Sequence, residues 1–381
     1  MRVTIIGLSY GPLAGQNQTM KQPPGTSASV SAQQYSAAGG ARRAREDGYA
    51  DNPPLVRLWR GDRVECVHRG AWVLADSSGQ IVASAGDHAH PIYARSSVKS
   101  LQALPLIESG AAGRFGLSDQ EIALAVASHS AEACHTGAAE ALLARLDLSV
   151  DDLQCGAHPP TDPEARALLA QAGREPTALH NNCSGKHTGF LALALHLGVA
   201  PADYLDPQCE SQRRVRAAVL EMSGVGEEEL GVAVDGCNAP TWRLPLHGLA
   251  TAFARVANPE GLAADRRAAC ERITSSVADH PVLIAGTRRR ICTDIARLAG
   301  GRLFPKGGAE GVYAVGLRGG DLGLALKIDD GSTRGVNALI RDLMHRFNFA
   351  TEEELAPLES WTGTPLQNWA GVEVGRTEIV G

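Results

Sequence analysis

The 36 basic residues of the chain include only five lysines, so arginine fills almost every position that needs no more than a positive charge. An arginine guanidinium stays protonated at any usable pH, whereas a buried lysine can lose its proton and act as a base, nucleophile or neutral ligand. Each lysine is therefore a candidate for chemistry, and an ordinary solvated surface position is the alternative for any one of them. The five are Lys21, Lys99, Lys186, Lys306 and Lys327.

Ser96 and Lys99 form a candidate pair of nucleophile and base. They lie three residues apart, so on a helix their side chains share one face. A serine hydroxyl needs an adjacent base to attack a carbonyl carbon, and an apolar helical stripe around Lys99 would favour its neutral form. A helix start at Ser96 would also leave backbone amides free to hold an oxyanion. Because Ser-x-x-Lys often occurs by chance, the spacing alone is a weak signal.

Two later segments strengthen this hypothesis. Ser128 and His129 end an apolar run, where a hydroxyl and an imidazole are unexpected, and Lys306 precedes two glycines that allow close backbone approach. Ser-x-x-Lys, a serine loop and Lys-Gly-Gly, in this chain order, match the three-part pattern of penicillin-recognising serine acyl hydrolases. The alternatives are a simple helix-end hydroxyl at Ser128 and an exposed turn lysine at Lys306.

Composition limits the possible partners and compartment. The chain has 381 residues, 44% of them hydrophobic, and a net charge of -6, which argues against nucleic-acid or anionic-membrane binding. No apolar run approaches the roughly 20 residues that cross a bilayer, and the N-terminal apolar run has no convincing cleavage site. Eight singly spaced cysteines fit reduced thiols. We therefore expect a cytoplasmic protein.

The hydrophobic pattern predicts one folded domain after an extension. Residues 1–53 are expected to be a disordered or low-complexity extension, and residues 54–381 a single domain. The predicted fold class is α+β, with an antiparallel sheet built from N- and C-terminal strands and a mostly helical middle. The sheet should come from residues 54–95 and 300–350, and the helical region is 96–299. Helices are predicted at about 133–146, 163–172, 184–197, 207–222, 246–257 and 261–277.

Several motifs in order resemble the asparaginase II family of the Rhizobium etli type. The strongest are the segment 180–190, which reads His-Asn-Asn-Cys-Ser-Gly-Lys-His-Thr-Gly-Phe, and the segment 235–240, which reads Asp-Gly-Cys-Asn-Ala-Pro. Further matches fall at residues 95–99, 127–129, 155–160 and 306–311. The resemblance spans essentially the whole predicted domain. It implies a serine β-lactamase-like and glutaminase-like fold that hydrolyses L-asparagine to aspartate and ammonia, and a homodimer.

The resemblance also implies a catalytic set of two Ser-Lys pairs. Ser96 would be the nucleophile with Lys99 as its base, and Ser128 would pair with Lys306. Lys327, on the predicted neighbouring strand, could exchange roles with Lys306. Two lysines in one site would lower each other's pKa through like-charge repulsion.

A zinc site and substrate contacts are implied in the same way. Cys183, Lys186 and Cys237 match residues that hold Zn²⁺, with water as the fourth ligand. From spacing alone, these cysteines would be interpreted as buried packing residues. Asp235 would bind the substrate's α-ammonium or fix a turn, and His129 and Asn238 are further candidates for substrate binding.

Two alternatives to an asparaginase stay open. The same Ser-Lys groups could serve another acyl hydrolase, such as a glutaminase or a β-lactamase-like enzyme. The second alternative is a non-catalytic zinc-binding or amide-binding protein on the same scaffold.

Overall fold

The computed structural model describes residues 52–380. Residues 1–51 of the predicted extension lie outside this range. At the start of the described chain, the buried Asn52 donates a hydrogen bond from its side-chain amide to Asp329 at 3.0 Å. Asn52 thereby ties the residues just before the first strand to the turn that follows the strand near the other end of the chain.

Eleven strands and fourteen helices are found in residues 52–380. The strands are β1 (Pro54–Arg60), β2 (Arg63–Ala75), β3 (Ile81–Ala85), β4 (Pro91–Tyr93), β5 (Gly231–Val234), β6 (Pro240–Pro245), β7 (Leu303–Gly307), β8 (Val312–Leu317), β9 (Gly323–Ile328), β10 (Leu366–Gln367) and β11 (Glu373–Ile379). The helices are α1 (Lys99–Glu108), α2 (Ala111–Arg114), α3 (Asp119–Ala125), α4 (Ala133–Arg145), α5 (Pro163–Gln171), α6 (Ser184–His196), α7 (Glu210–Ser223), α8 (Leu246–Ala257), α9 (Ala264–Asp279), α10 (Pro281–Ala285), α11 (Ile291–Arg297), α12 (Thr333–Arg346), α13 (Glu352–Leu355) and α14 (Glu359–Thr362).

The main sheet joins strands from the two ends of the described chain. Its order is β10-β11-β1-β2-β9-β8-β7, with β3 beside β2, and the strand pairs are antiparallel. The predicted α+β class, with terminal strands around a mostly helical middle, is confirmed. The six predicted helices correspond to α4 through α9.

Two parts of the strand prediction were incomplete. The sheet extends beyond 300–350, because β10 and β11 add its far edge and β11 pairs with β1, with Val56 opposite Ile379. A second sheet, of order β4-β6-β5, lies partly inside the region 96–299 that was predicted to be helical. These strands are short, and β11 and β4 pair with β1 and β6, which are far away in sequence, so local periodicity carries little signal for them.

Helices cover both faces of the main sheet. Helix α8 packs on β2, β8 and β9, and α12 packs on β1 and β9. The packing of α8 is close, because a Cβ at Gly323 would lie 2.0 Å from the carbonyl oxygen of Ala250. Between residues 52 and 380, no helix is both long and apolar enough to span a membrane.

A capping box starts the helix that leads to Ser128. The Ser118 hydroxyl accepts the backbone N–H of Glu121, and the Glu121 carboxylate accepts the N–H of Ser118 at 2.9 Å. The apolar helix α3 then runs to Ala125 inside the core. This anchored start fixes where the following loop, which carries Ser128, leaves the helix.

We predict that Gly185→Ala destabilises the protein, because α6 lies against α3 with no room for a side chain. A Cβ at Gly185 would lie 2.4 Å from Cγ of Leu124 and 2.5 Å from its carbonyl oxygen. The two helices must separate, which should lower the free energy of unfolding by about 1–3 kcal/mol. Chemical denaturation measures the change.

The matched control is Gly137→Ala on the exposed side of α4, where a Cβ would meet no atom within 4 Å. Alanine is the better helix former, so this variant should gain about 0.5–1 kcal/mol. Equal effects of the two substitutions would contradict the close packing of α6 on α3.

Candidate active site

The Ser128 hydroxyl lies between two buried lysine amines. Its Oγ is 3.0 Å from Nζ of Lys99 and 2.9 Å from Nζ of Lys306. The backbone N–H of Ser128 donates to the carbonyl of Ile284 at 2.9 Å, and the N–H of His129 donates to the carbonyl of Asn182 at 3.1 Å. The loop after α3 is thus fastened on both sides, and it holds the hydroxyl at one point.

Lys99 uses all three of its amine donors inside the protein. Besides Ser128, it donates to the carbonyl of Ala127 at 2.5 Å and to Sγ of Cys183 at 3.1 Å. Only 1% of the Lys99 side chain is exposed. Each of these donors therefore has an acceptor, which offsets the cost of burying the amine.

Lys306 is the second buried lysine beside Ser128, and its pKa is lowered. Burial, together with the positive charge of nearby Lys99, lowers the pKa of Lys306 to about 7. It lies on β7 and also donates to the carbonyl of Gly307 at 2.9 Å. Near neutral pH a large fraction of Lys306 is therefore an uncharged amine that can accept the Ser128 proton.

Ser96 lines the cleft in front of these amines. Its hydroxyl makes no hydrogen bond to any residue in the described range, whereas the neighbouring Ser97 is buried and donates to the carbonyl of Ala94. Arg95, just before it, has a φ of +51°, a strained value for an arginine. The structure thus presents the Ser96 hydroxyl to the cleft, but Lys99 bonds to Ser128 and not to Ser96.

The position of Lys327 favours Lys306 as the second lysine of the site. Nζ of Lys327 donates to the carbonyls of Glu310 and Ile328, each at 2.7 Å. These bonds fasten the end of β9 to the turn after β7. Lys306, in contrast, directly contacts Ser128.

The three residues proposed for metal binding converge behind the Ser-Lys chain. Nζ of Lys186 is 3.1 Å from Sγ of Cys237, and Cys183 and Cys237 are both buried. A hydrogen bond from Cys183, with the charge of Lys186, lowers the pKa of Cys237 well below its usual range. Burial alone would lower the pKa of Lys186, but the sulfurs of Cys237 and Cys183 outweigh it and raise the pKa.

A buried imidazole adjoins this cluster with one nitrogen unused. Nδ1 of His187 lies 2.6 Å from the Tyr204 hydroxyl, but its Nε2 is buried and has no hydrogen-bond partner in residues 52–380. Burial lowers the pKa of His187 to about 4, so the ring is neutral. Two buried sulfurs and an amine form a donor set that suits a soft or borderline cation such as zinc.

The candidate substrate-binding residues already serve the protein itself. Asp235 accepts hydrogen bonds from Nε of Arg95 at 2.8 Å and from the N–H of Gly236. Asn238 is exposed in the left-handed region, φ +70°, and its N–H closes the turn onto the carbonyl of Asp235. The structure therefore brings Asp235 to Arg95, next to Ser96, and places Asn238 in the same turn.

His129 lies in the core. Its Nε2 is 3.0 Å from the Ser184 hydroxyl, its Nδ1 accepts the N–H of Ala131, and its ring stacks on His135. Burial lowers the pKa of His129 well below its usual value. With both nitrogens used, the imidazole braces the Ser128 loop against the start of α6.

A cleft of about 390 Å³ opens over Ser96, Ser128 and Lys306. Sequence reasoning missed most of its wall, including Arg289 and Arg290, although the run of three arginines at 288–290 was a usable signal. Arg290 donates to the carbonyl of Ser128. The newly identified lining residues include Arg289, Arg290, Cys292, Tyr313, Asn337 and Trp361.

A serine held between two buried lysines, beside a second serine in an open cleft, is an arrangement suited to hydrolysis by acyl transfer. Residues 56–379 match the family model described as L-asparaginase II. The chain therefore belongs to the asparaginase II family, and it is a hydrolase that acts on amides. A search among curated proteins gives no match.

The chain is similar to several solved structures, of which three follow. A β-lactamase from Mycobacterium bovis has 13% identity, a TM-score of 0.40, and coverage of 74% of this chain and 95% of its own. The protein Mglu in its tris and glutamate form has 14% identity, a TM-score of 0.36, and coverage of 79% and 64%. Simvastatin synthase from Aspergillus terreus has 11% identity, a TM-score of 0.39, and coverage of 77% and 90%. These scores carry no inference about activity.

Proposed function

We propose that the protein is an L-asparagine amidohydrolase that releases aspartate and ammonia through a serine acyl-enzyme. The observation that carries this proposal is the chain of contacts from Lys99 through Ser128 to Lys306. It supplies one hydroxyl with a neighbouring amine whose pKa of about 7 suits proton transfer at neutral pH. The family match supports an amide as the substrate.

The two serines have different roles in this proposal. Ser96 attacks the side-chain amide carbon of asparagine, an Oγ–C bond forms, and the C–N bond to the departing ammonia breaks. The proton that Ser96 loses passes to Lys99 and then through Ser128 to Lys306. The leaving nitrogen gains a proton from the same chain of groups. Water then hydrolyses the ester, and this releases aspartate and restores the Ser96 hydroxyl.

One observation favours a different nucleophile on the same site. Ser128, unlike Ser96, is already hydrogen-bonded to both lysines, so its hydroxyl is the better activated of the two. In this second assignment, Lys306 takes the proton of Ser128 directly, and Ser128 carries the acyl group. The two assignments give the same products but a different acylated residue.

We predict that Ser96→Ala and Lys99→Ala each lower asparagine turnover on the order of 10³-fold or more, since each removes a partner in acyl transfer. Ammonia release is assayed with asparagine and glutamine side by side, and intact-mass and peptide analysis of quenched reactions locates the adduct. A β-aspartyl ester is expected on Ser96.

An ester on Ser128 instead would assign the attack to Ser128. Near-normal rates for both Ser96→Ala and Ser128→Ala, with no adduct on either side chain, would refute a serine acyl-enzyme. Faster release from glutamine than from asparagine would refute the proposed substrate while leaving the mechanism intact.

We predict that the rate rises with pH through a midpoint of about 7, the pKa of Lys306. Below the midpoint Lys306 is an ammonium and cannot accept a proton, and above it the neutral amine can. The pH profile of kcat/KM for asparagine measures this rise.

Lys306→Arg tests whether Lys306 is the titrating group. An arginine stays charged, so this variant should keep only a residual rate that does not rise with pH around 7. Lys327→Arg is the matched control, since Lys327 donates to the backbone carbonyls of Glu310 and Ile328, and this variant should keep the rise of the rate with pH. If the rate of Lys306→Arg still rises with pH around 7, the titration belongs to another group.

We further propose that Cys183, Lys186 and Cys237 hold Zn²⁺. Two buried sulfurs and a converging amine support this fit. A bound ion would supply a fixed positive charge and Lewis acidity next to the Ser-Lys chain. The chain's own contribution is to hold Cys183 against Lys99, so the same sulfur belongs to both groups.

We predict about one zinc per chain in purified protein by mass-spectrometric metal analysis. Cys183→Ser and Cys237→Ser should each lose most of the metal, because thiolate sulfur is the preferred ligand. Cys270→Ser, at another buried cysteine, is the control and should keep the metal. Zinc-free wild-type protein after preparation without chelators would exclude the site.

We also propose a homodimer that works in the cytoplasm. The homodimer follows from the family resemblance. The cytoplasmic assignment is supported by all eight cysteines, which are free thiols, as expected in a reducing compartment.

A further inference from the structure

The active-site cleft carries more positive charge than asparagine can balance. Arg289 and Arg290 line it, and no aspartate or glutamate is among its lining residues. Arg290 donates to the Ser128 carbonyl, which places its guanidinium beside the reacting serines. Arg289 makes no hydrogen bond or ion pair with any residue between 52 and 380.

Asparagine has a single carboxylate. A carboxylate three carbon atoms from the reacting amide can pair with Arg290, because Arg290 adjoins Ser128. Arg289 is then left without a counter-charge. It has a φ of +51°, and strained non-glycine residues concentrate at functional sites.

The cleft also has room beyond asparagine. Its volume of about 390 Å³ corresponds to roughly 13 water molecules at about 30 Å³ each, more than the number of non-hydrogen atoms in asparagine. Trp361 lines the cleft, and its ring is held by a 2.8 Å hydrogen bond from Nε1 to Asp294. Asn337 adds a polar group with no hydrogen bond to any described residue.

We propose that the enzyme also hydrolyses β-aspartyl dipeptides, with Arg289 pairing with the C-terminal carboxylate of the leaving amino acid. The proposal rests on the proposed amidohydrolase function and adds a second substrate class to the same site. The serine Oγ–C bond forms, the C–N bond to the second amino acid breaks, and the nitrogen gains a proton. Water then releases aspartate from the ester, so no further reactant is needed.

The test compares three substrates on one enzyme preparation: asparagine, β-aspartyl-glycine and β-aspartyl-glycinamide, which lacks the second carboxylate. The wild-type protein should release glycine from the free acid with a kcat/KM about fivefold above that for the glycinamide, the size expected for an exposed ion pair. Arg289→Gln should remove this preference.

The matched control is Arg288→Gln, since Arg288 pairs with Asp162 and Glu164 and does not line the cleft. It should keep the fivefold preference. The ratio of the two dipeptide rates is the readout, so a general loss of stability would not imitate the effect.

Three results would overturn the proposal. Hydrolysis of asparagine with both dipeptides left intact would refute it and leave the asparaginase function standing. An equal loss for asparagine and β-aspartyl-glycine in Arg289→Gln would assign Arg289 to the carboxylate that both substrates share. If neither asparagine nor the dipeptides react, the proposed function fails, and the dipeptide proposal fails with it.

Discussion

Two buried lysines around one hydroxyl are the constraint on which the site depends. Like charges repel strongly where water is excluded, so one of the two amines must give up its proton more readily. The surroundings decide which one. Lys99 has three acceptors for its N–H groups, whereas Lys306 is left with a pKa of about 7. An amine that can accept a proton at neutral pH therefore lies beside the Ser128 hydroxyl.

The fold maintains this arrangement by bringing together elements that are distant along the chain. Lys99 begins α1, Ser128 follows α3, Lys306 lies on β7 and Cys183 precedes α6. Helix α6 is packed against α3 so closely that only a glycine fits at Gly185. The cost of burying two amines is offset by carbonyl, hydroxyl and sulfur acceptors on these same elements.

Much of the site could be predicted from the sequence because lysine is rare in this chain. This scarcity marked Lys99, Lys186 and Lys306 as candidates. The order of the motifs along the chain then related Lys99 and Lys306 to Ser96 and Ser128. The longer helices α4 through α9 were also predictable, since each shows local apolar periodicity. The strands β10 and β11 were not, because β10 is very short and β11 joins the main sheet by pairing with β1, more than 300 residues away in sequence.

The choice between Lys306 and Lys327 shows the same limit. Both lie on strands of one sheet, and only the register through β8 determines which amine reaches Ser128. The ion pair of Arg95 with Asp235 could not be predicted from the sequence either, since the two residues are 140 positions apart along the chain. Such contacts depend on tertiary packing, which residue spacing does not encode.

The most direct test of the account is an NMR titration of protein labelled with ¹³C at the lysine ε-carbons. Only five lysines contribute signals, and comparison with Lys306→Arg assigns the one that matters. The account predicts that the Lys306 signal titrates with a midpoint of about 7. A midpoint near the ordinary lysine value of about 10.4 would contradict it, because no neutral amine would then stand beside Ser128 at neutral pH.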